Sequence, residues 1–346
     1  MDPAELVGIH EIASWAGVGK SAVANWRTRH LDFPTPVADL AAGPLFSRSA
    51  VRQWLRTRRP SMTTTIAFIN LKGGVAKTTS TVVTAQILAN VHRKKVLVID
   101  LDPQTNATVM LIGEDRWQAL NDAHHTIAQL FQDAIKPEAT AFDLAATLQR
   151  NVGAIHDVRN VDLLPSSLDL INLQDELATM PAGRFRNRTP IDVLYNAIRD
   201  EIGQYDFVLI DCPPSLGLVT LNGLRFTDGY VIPTIPDVLS TYGIDQIVSR
   251  VADFAQETHG SIEPLGILAT KYQTAQTVHV SQLRRLRAGS LPVFQTEIPQ
   301  GNDMSAAPEF KSVGTLRQKW GYGPAFKAYL QFTEELLSKV AAPVAP

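Results

Sequence analysis

The segment Lys72-Gly73-Gly74-Val75-Ala76-Lys77-Thr78-Thr79 constrains this chain more than any other. An apolar run, Ile66-Ala67-Phe68-Ile69, precedes it, and a helix-like stretch from Thr78 to Val91 follows. Strand, glycine turn and helix N-terminus in that order form a phosphate-binding loop. Glycines let backbone N–H groups close on phosphate oxygens with no Cβ in the way. Lys77 then supplies a point charge for β- and γ-phosphates, and Thr78 a hydroxyl for Mg2+. The standard spacing asks for glycine at 71 and 76, where this chain has Leu71 and Ala76, and it adds a second lysine, Lys72.

Two more apolar runs close on carboxylates. Val96-Leu97-Val98-Ile99 reads as a fully buried parallel strand and ends in Asp100-Leu101-Asp102-Pro103-Gln104-Thr105-Asn106. Phe207-Val208-Leu209-Ile210 ends in Asp211-Cys212-Pro213-Pro214-Ser215. Phosphoryl transfer to water needs a group to position the nucleophile and cations to neutralise developing charge. A carboxylate just past a strand end can do the first, and Lys72, Lys77 and Mg2+ the second. Asp100 reads equally as a strand-end carboxylate that caps the next turn.

Lys-Gly-Gly-x-x-Lys-Thr resembles the deviant Walker A loop of the ParA/MinD family of dimerising ATPases. The resemblance extends to Asp100–Asn106, to the stretch from Asp211 through Thr220-Leu221-Asn222, and in all to roughly residues 64–340. It implies that Lys72 reaches across an ATP-bound homodimer to the partner's nucleotide, and that Asp102 orients the attacking water or sits beside Mg2+. It also implies that Asp211 holds Mg2+ through water and that the double proline stiffens a γ-phosphate sensor. Ala76 stands where most such loops have glycine, so its methyl group is expected to crowd the phosphates. Lys72, Lys77 and Asp102 are thus the expected catalytic residues, Lys72 to Thr79 the phosphate loop, and Thr78 with Asp211 the metal site. By the same resemblance the adenine lies near Lys271 and Pro299 to Gly301. ATP is expected over GTP, because Thr270-Lys271-Tyr272-Gln273 offers no carboxylate to a guanine edge.

Strand-like runs at 230–233, 265–270 and 294–300 alternate with helix-like stretches at 244–254, around 281–287 and from about 324 to 340. That order predicts an α/β fold, a doubly wound and mostly parallel sheet with its ligand at the C-terminal strand ends. The expected domain spans residues 66–340.

Residues 1–60 differ in charge. They carry 8 Lys/Arg against 5 Asp/Glu, a net of +3, and the remainder 24 against 29, a net of −5. Such asymmetry points to nucleic acid on one part. Glu11 to Val18 reads as a short helix stopping at Gly17, and Ser21 to Arg29 as a second capped by Ser21, a helix-turn-helix pattern. Lys20, Ser21, Asn25, Arg27 and Arg29 are the expected DNA contacts there, with Val23 and Trp26 facing the core. Phe33-Pro34-Thr35-Pro36-Val37, then Gly43-Pro44-Leu45-Phe46 and a helix from Ser49 to Arg58, resemble winged-helix regulators of the MerR/AlpA kind. The other reading is a small helical cap supporting the ATPase or its dimer. Residues 61–65 read as a linker and 341–346 as a disordered tail.

No apolar run approaches the ~20 residues a membrane span needs, and the acidic start of the chain does not read as a signal peptide. A lone cysteine, Cys212, permits no internal disulfide, which fits the cytosol. It also excludes a cluster-bridging relative that needs two cysteines per subunit. Glu334 and Glu335 in the last helix argue against a basic membrane-lying helix.

The expectation is a cytoplasmic, nucleoid-associated DNA-partition ATPase using ATP/ADP and Mg2+. Its dimer would bind DNA without sequence preference through Arg284, Arg285 and Arg287, with Lys319 a weaker candidate, unless these are only a solvated helix face. A ParB-like centromere-binding protein would stimulate hydrolysis, and residues 1–60 would autoregulate the operon. The alternatives are a nucleotide-switched transcriptional regulator with little turnover, and a positioning ATPase for a protein cargo.

Overall fold

The computed structural model describes residues 5–15, 20–29, 33–40, 43–58, 63–136, 141–179, 189–258, 261–301 and 309–341. The chain divides into two compact units, the second formed by Thr63–Val340.

In the first unit, β1 (Leu6–Gly8), β2 (Ala38–Leu40) and β3 (Gly43–Ser47) form an antiparallel sheet in the order β1-β3-β2. Helices α1 (Ile9–Trp15), α2 (Lys20–Arg29) and α3 (Arg48–Arg58) accompany it. Val7, Ile12, Val23, Phe46, Val51 and Leu55 make a small core. Phe33 packs edge-on to Phe46 and Trp54, at 5.4 and 4.7 Å between ring centroids. Val23 is buried, and Trp26 lies half-buried on Trp54. Ser21 lies inside the first turn of α2 rather than capping it, since the helix starts at Lys20. Lys20 and Arg27 are exposed, with the Arg27 guanidinium 5.5 Å from the Phe46 ring. The turn at Gly17 and the side chains of Ser21, Asn25 and Arg29 lie outside the described residues.

The second unit begins with β4 (Thr64–Phe68), so the strand starts inside the stretch expected to be linker. Next come α4 (Lys77–Asn90), β5 (Val96–Asp100), α5 (Asn106–Ile112), α6 (Glu114–Asp122), α7 (Ile127–Ile135) and α8 (Leu144–Thr147). The middle holds β6 (Val161–Leu164), α9 (Leu170–Thr179), α10 (Val193–Ile202), β7 (Phe207–Asp211), α11 (Leu218–Leu224) and β8 (Gly229–Thr234). Then follow α12 (Val238–Thr241), α13 (Ile244–Glu257), β9 (Glu263–Tyr272), α14 (Thr277–Arg287), β10 (Val293–Pro299), α15 (Leu316–Trp320) and α16 (Pro324–Ala341). The last helix takes in Ala341, the first residue of the expected tail; 342–346 lie outside the described residues.

The strands form one parallel sheet, β10-β9-β8-β4-β7-β5-β6. Each central strand is apolar on both faces, as a sheet covered by helices on both sides requires. Ile66 and Phe68 join Val96, Val98, Leu209 and Val231 beneath α4, α5 and α16. Ala67 and Ile69 join Leu97, Ile99, Val208 and Ile232 beneath α7, α10 and α13. Helix α4 is buried on nearly all sides. Two of its buried polar side chains are paired with the C-terminal helices: Ser80 Oγ with Tyr329 Oη of α16 at 3.0 Å, and Gln86 Oε1 accepting from Trp320 Nε1 of α15 at 2.7 Å. This fixes the helix that starts at Lys77. Among the described residues no helix is long and apolar enough to cross a membrane.

Candidate active site

Strand β4 lies at the centre of the sheet, between β8 and β7, and the loop leaving its C-terminal end is pinned from the side of β8 and β9. Asn70 is buried; its Nδ2 donates to Pro233 O at 2.9 Å while its Oδ1 accepts from Lys72 N at 2.9 Å. From the end of β9, Thr270 Oγ1 donates to Val75 O at 3.0 Å, and Lys271 Nζ to Gly74 O at 2.8 Å. Gly74 has φ +75°, and a Cβ built on Gly73 or Gly74 would meet nothing within 4 Å. The loop is thus held at its backbone and left open at its glycines, the form a phosphate cradle requires.

Ala76 sits directly before α4 with φ 64°, in the left-handed region. Thr105, before α5, and Lys271 share that region at φ 56° and 49°. These are three of seven such non-glycine residues among those described, and all three lie at the C-terminal strand ends. A left-handed alanine costs roughly 1–2 kcal/mol, and glycine's extra unfolded-state freedom costs roughly 0.5–1 kcal/mol. Ala76→Gly is therefore expected to stabilise the nucleotide-free chain by about 0.5–1 kcal/mol. Urea unfolding checks this; a loss of stability would show that the turn at Ala76 is unstrained.

Lys77 is only 6% exposed, and its Nζ donates to Lys72 O at 3.0 Å. Burial lowers its pKa, while Asp211 and Asp102 hold it up. Lys72 is half-buried, its Nζ 3.5 Å from Asp237 Oδ1, beyond the end of β8. Asp100 is wholly buried and accepts from Asp102 N, Thr108 N and Thr108 Oγ1 at 3.1, 2.8 and 2.7 Å. It ties the strand end to α5, the capping role, and burial pushes its carboxyl up to about 7. Asp102 has one such bond, from Gln104 N at 2.9 Å; burial raises its pKa against the pull of that N–H and of Lys77.

Asp211 is also wholly buried, yet neither carboxylate oxygen has a hydrogen bond of full geometry. The Thr78 hydroxyl lies near enough to favour its charged form, but burial and the nearby Asp100 hold it well above the usual carboxylate range. The neighbouring Cys212 thiol is likewise pushed up by burial. Three carboxylates around one ammonium cannot all ionise without further positive charge. An orphaned buried carboxylate beside a threonine hydroxyl fits a hard, oxygen-preferring cation. Among the described residues no group of three or more His, Cys, Asp or Glu could cage a metal by itself. One carboxylate with one hydroxyl suits Mg2+, which keeps waters and takes substrate phosphates as ligands.

At the far end of the edge, the ends of β9 and β10 and the start of α16 enclose a cleft of about 650 Å3. Tyr272, Gln273, Pro299, Gln300 and Lys327 line it. Lys271 and Pro299, two expected adenine neighbours, thus lie at the two strand ends beside the cleft, while the Lys271 side chain itself braces the phosphate loop.

The sequence of residues 63–263 matches a family described as AAA domain. The chain is 31% identical over 277 residues to the chromosome-partitioning ATPase Soj of Thermus thermophilus, covering 80% of this chain and 96% of that one. It belongs to the ParA/Soj type of P-loop ATPases. The chromosome partitioning protein ParA of Myxococcus xanthus is 28% identical, over 71% of this chain and 78% of that one. Among solved structures, cobyrinic acid a,c-diamide synthase of Mycobacterium smegmatis with bound ATP analogue and magnesium superposes with a TM-score of 0.61. It is 28% identical and covers 81% of this chain and 97% of that one.

For a ParA/Soj ATPase, the edge brings Lys72, Lys77, Thr78, Asp102 and Asp211 together. The basic candidates lie apart from it. Arg284 and Arg285 are exposed on α14. Arg287 is engaged: its guanidinium bonds Glu297 Oε1 at 3.0 Å and Gln295 O at 3.1 Å. Lys319 reaches Glu309 O, and burial lowers its pKa. Asn70 and Thr270 were missed by sequence reasoning. The available signal was a single polar residue between each apolar strand and the glycine loop or lysine that follows it.

Proposed function

We propose that this ATPase is a DNA-partition motor whose nucleotide state controls association and DNA binding. The observation that carries the reading is the buried cluster of Lys77, Asp102 and Asp211 against an open phosphate loop, in a chain related to a chromosome-partitioning ATPase. ATP binds with its phosphates on residues 72–79 and its base by Lys271 and Pro299 to Gly301. Thr78 and Asp211 hold Mg2+, which supplies positive charge against the developing phosphate charge. Asp102, nearly buried with a single backbone partner, positions the attacking water. Lys77 neutralises the β- and γ-phosphates of its own nucleotide, and Lys72 those of a second subunit's.

The ATP-bound dimer binds duplex DNA without sequence preference, with Arg284 and Arg285 as its phosphate contacts and Arg287 secondary because Glu297 already engages it. A ParB-like centromere-binding partner accelerates hydrolysis and so releases the DNA, and the protein works on the nucleoid. Residues 1–60 act as a winged helix-turn-helix that binds the operator, with Lys20, Ser21, Asn25, Arg27 and Arg29 as its reading face. The two helices and antiparallel hairpin of the first unit support that reading.

The test is phosphate release by the full chain with Mg2+, alone and with random duplex DNA plus the partner. Turnover is expected to be slow alone and faster with both. No Mg2+-dependent turnover under any condition would overturn the reading in favour of a nucleotide-switched regulator. Turnover that DNA never alters would favour a protein cargo.

A further inference from the structure

His279, on the first turn of α14, is 5% exposed and outside every role assigned above. Its Nδ1 accepts the backbone N–H of Gln273 at 3.1 Å. Its ring stacks on Tyr272, with centroids 6.2 Å apart and planes inclined by 26°. Tyr272 is the last residue of β9, and its carbonyl accepts Gln300 N at 3.1 Å from the end of β10. The side-chain amides continue the string: Gln276 Nε2 donates to Gln273 Oε1 at 2.9 Å, and Gln273 Nε2 donates to Gln300 Oε1. Gln276 O in turn accepts Val280 N at 3.2 Å.

Four consecutive residues at the end of β9 therefore face three elements. Thr270 and Lys271 grip the phosphate loop, Tyr272 grips the end of β10, and Gln273 is held by His279. Tyr272 and Gln273 also form a wall of the cleft beside Pro299 and Gln300. A buried imidazole that satisfies a backbone N–H and packs a ring against the preceding residue leaves that wall one position. Gln273 N–H has no regular strand or helix partner, so its geometry follows His279. Because His279 belongs to α14, whatever orders the wall also orders the start of the helix that carries Arg284 and Arg285.

We propose that His279 is a positioning residue that joins the base-side wall of the nucleotide cleft to α14, so that nucleotide binding is felt at the first turn of that helix. The inference rests on the placement of the base near Lys271 and Pro299 to Gly301. It differs from phosphate-loop chemistry in what it controls: affinity and relay, not the chemical step.

The variants are His279→Phe, which keeps a ring and removes the acceptor, and His279→Asn, whose Oδ1 can stand where Nδ1 stands. His279→Phe is expected to raise KM for ATP about five- to tenfold with kcat unchanged, the cost of one lost hydrogen bond at a part-buried N–H. His279→Asn is expected to restore KM to near the wild-type value. Wild-type KM in His279→Phe, equal impairment in both variants, or a fall in kcat alone would each overturn the proposal.

Amide hydrogen exchange of the unmodified full chain, with and without ADP and Mg2+, decides independently of whether the variants fold. Slower exchange with nucleotide is expected at residues 72–79, at Lys271, and at Gln273 and Val280. Protection at residues 72–79 without Lys271 or Gly301 would show that the base lies elsewhere. Protection at Lys271 and Gly301 without Gln273 and Val280 would show that the base is placed correctly and that His279 relays nothing. Either result overturns the proposal, for different reasons.

Discussion

Lys77→Ala is expected to abolish ATP turnover and to weaken ATP binding by at least about 100-fold, as removal of a buried charge from a phosphate site does. Lys77 is the nearly buried ammonium among Asp102, Asp211 and the phosphate loop, and its Nζ already bonds the loop through Lys72 O. Without it, the loop backbone faces the triphosphate with no buried cation to offset Asp102 and Asp211. The variant still folds, because burial works against the ammonium and the neighbouring carboxyls can take up protons. Titration with a fluorescent ATP analogue checks the binding, and melting without nucleotide checks the fold. Near-normal affinity would move the phosphates away from this loop.

Asp211→Asn is expected to act in opposite directions on stability and function. The carboxyl is held well above its ordinary pKa, chiefly by burial and then by Asp100. The folded chain therefore binds a proton there more readily than the unfolded chain. The stability linked to that group is fully present below the unfolded pKa, near ~4, and is lost as pH rises toward the raised folded value. At neutral pH and above, the ionised or proton-holding carboxyl costs the nucleotide-free chain stability that an asparagine does not. Asp211→Asn should raise Tm at pH 8, and the gain should shrink as pH falls toward ~4. Turnover should drop about 100-fold or more, because Mg2+ loses its carboxylate. The further rise in Tm that Mg2+ adds to ATP should disappear. A variant less stable at pH 8 than the wild type would contradict the assignment of Asp211 as an unbalanced buried acid.

Much of this site was legible because a parallel sheet buried on both faces must end its strands abruptly in polar residues. The runs at 66–69, 96–99 and 207–210 each stop at a chemically distinctive segment, and the structure sets all three on one edge. The roles of the two neighbouring aspartates were less legible. Asp100 and Asp102 differ by two positions, and only the donors around them separate a capped carboxylate from a poised one: three for Asp100, one for Asp102.

Strand β6 was not legible. Val161-Asp162-Leu163-Leu164 is short and carries a carboxylate that reads against a buried strand. Its partners lie elsewhere in the chain: Asn151 N at 2.8 Å, Tyr205 Oη at 2.7 Å and Arg150 Nη1 at 3.3 Å. A buried acid is acceptable once it is so paired, and no local pattern announces a partner such as Tyr205, 43 residues away. Ser21 shows the converse, since a good capping residue sits one place inside a helix that begins at Lys20. Lys271 was expected beside the base by resemblance alone, and its bond to Gly74 O, a tertiary contact across 197 residues, was not legible.

Nucleotide control of DNA binding is the property expected of this ATPase. Its most direct test is the affinity of the full chain for random-sequence duplex DNA with ATP and Mg2+, with ADP and Mg2+, and without nucleotide, repeated with Lys77→Ala. Binding with ATP alone is predicted, falling steeply with salt as phosphate contacts require and absent in the variant. Binding of equal strength in all three states, unchanged in Lys77→Ala, would contradict it.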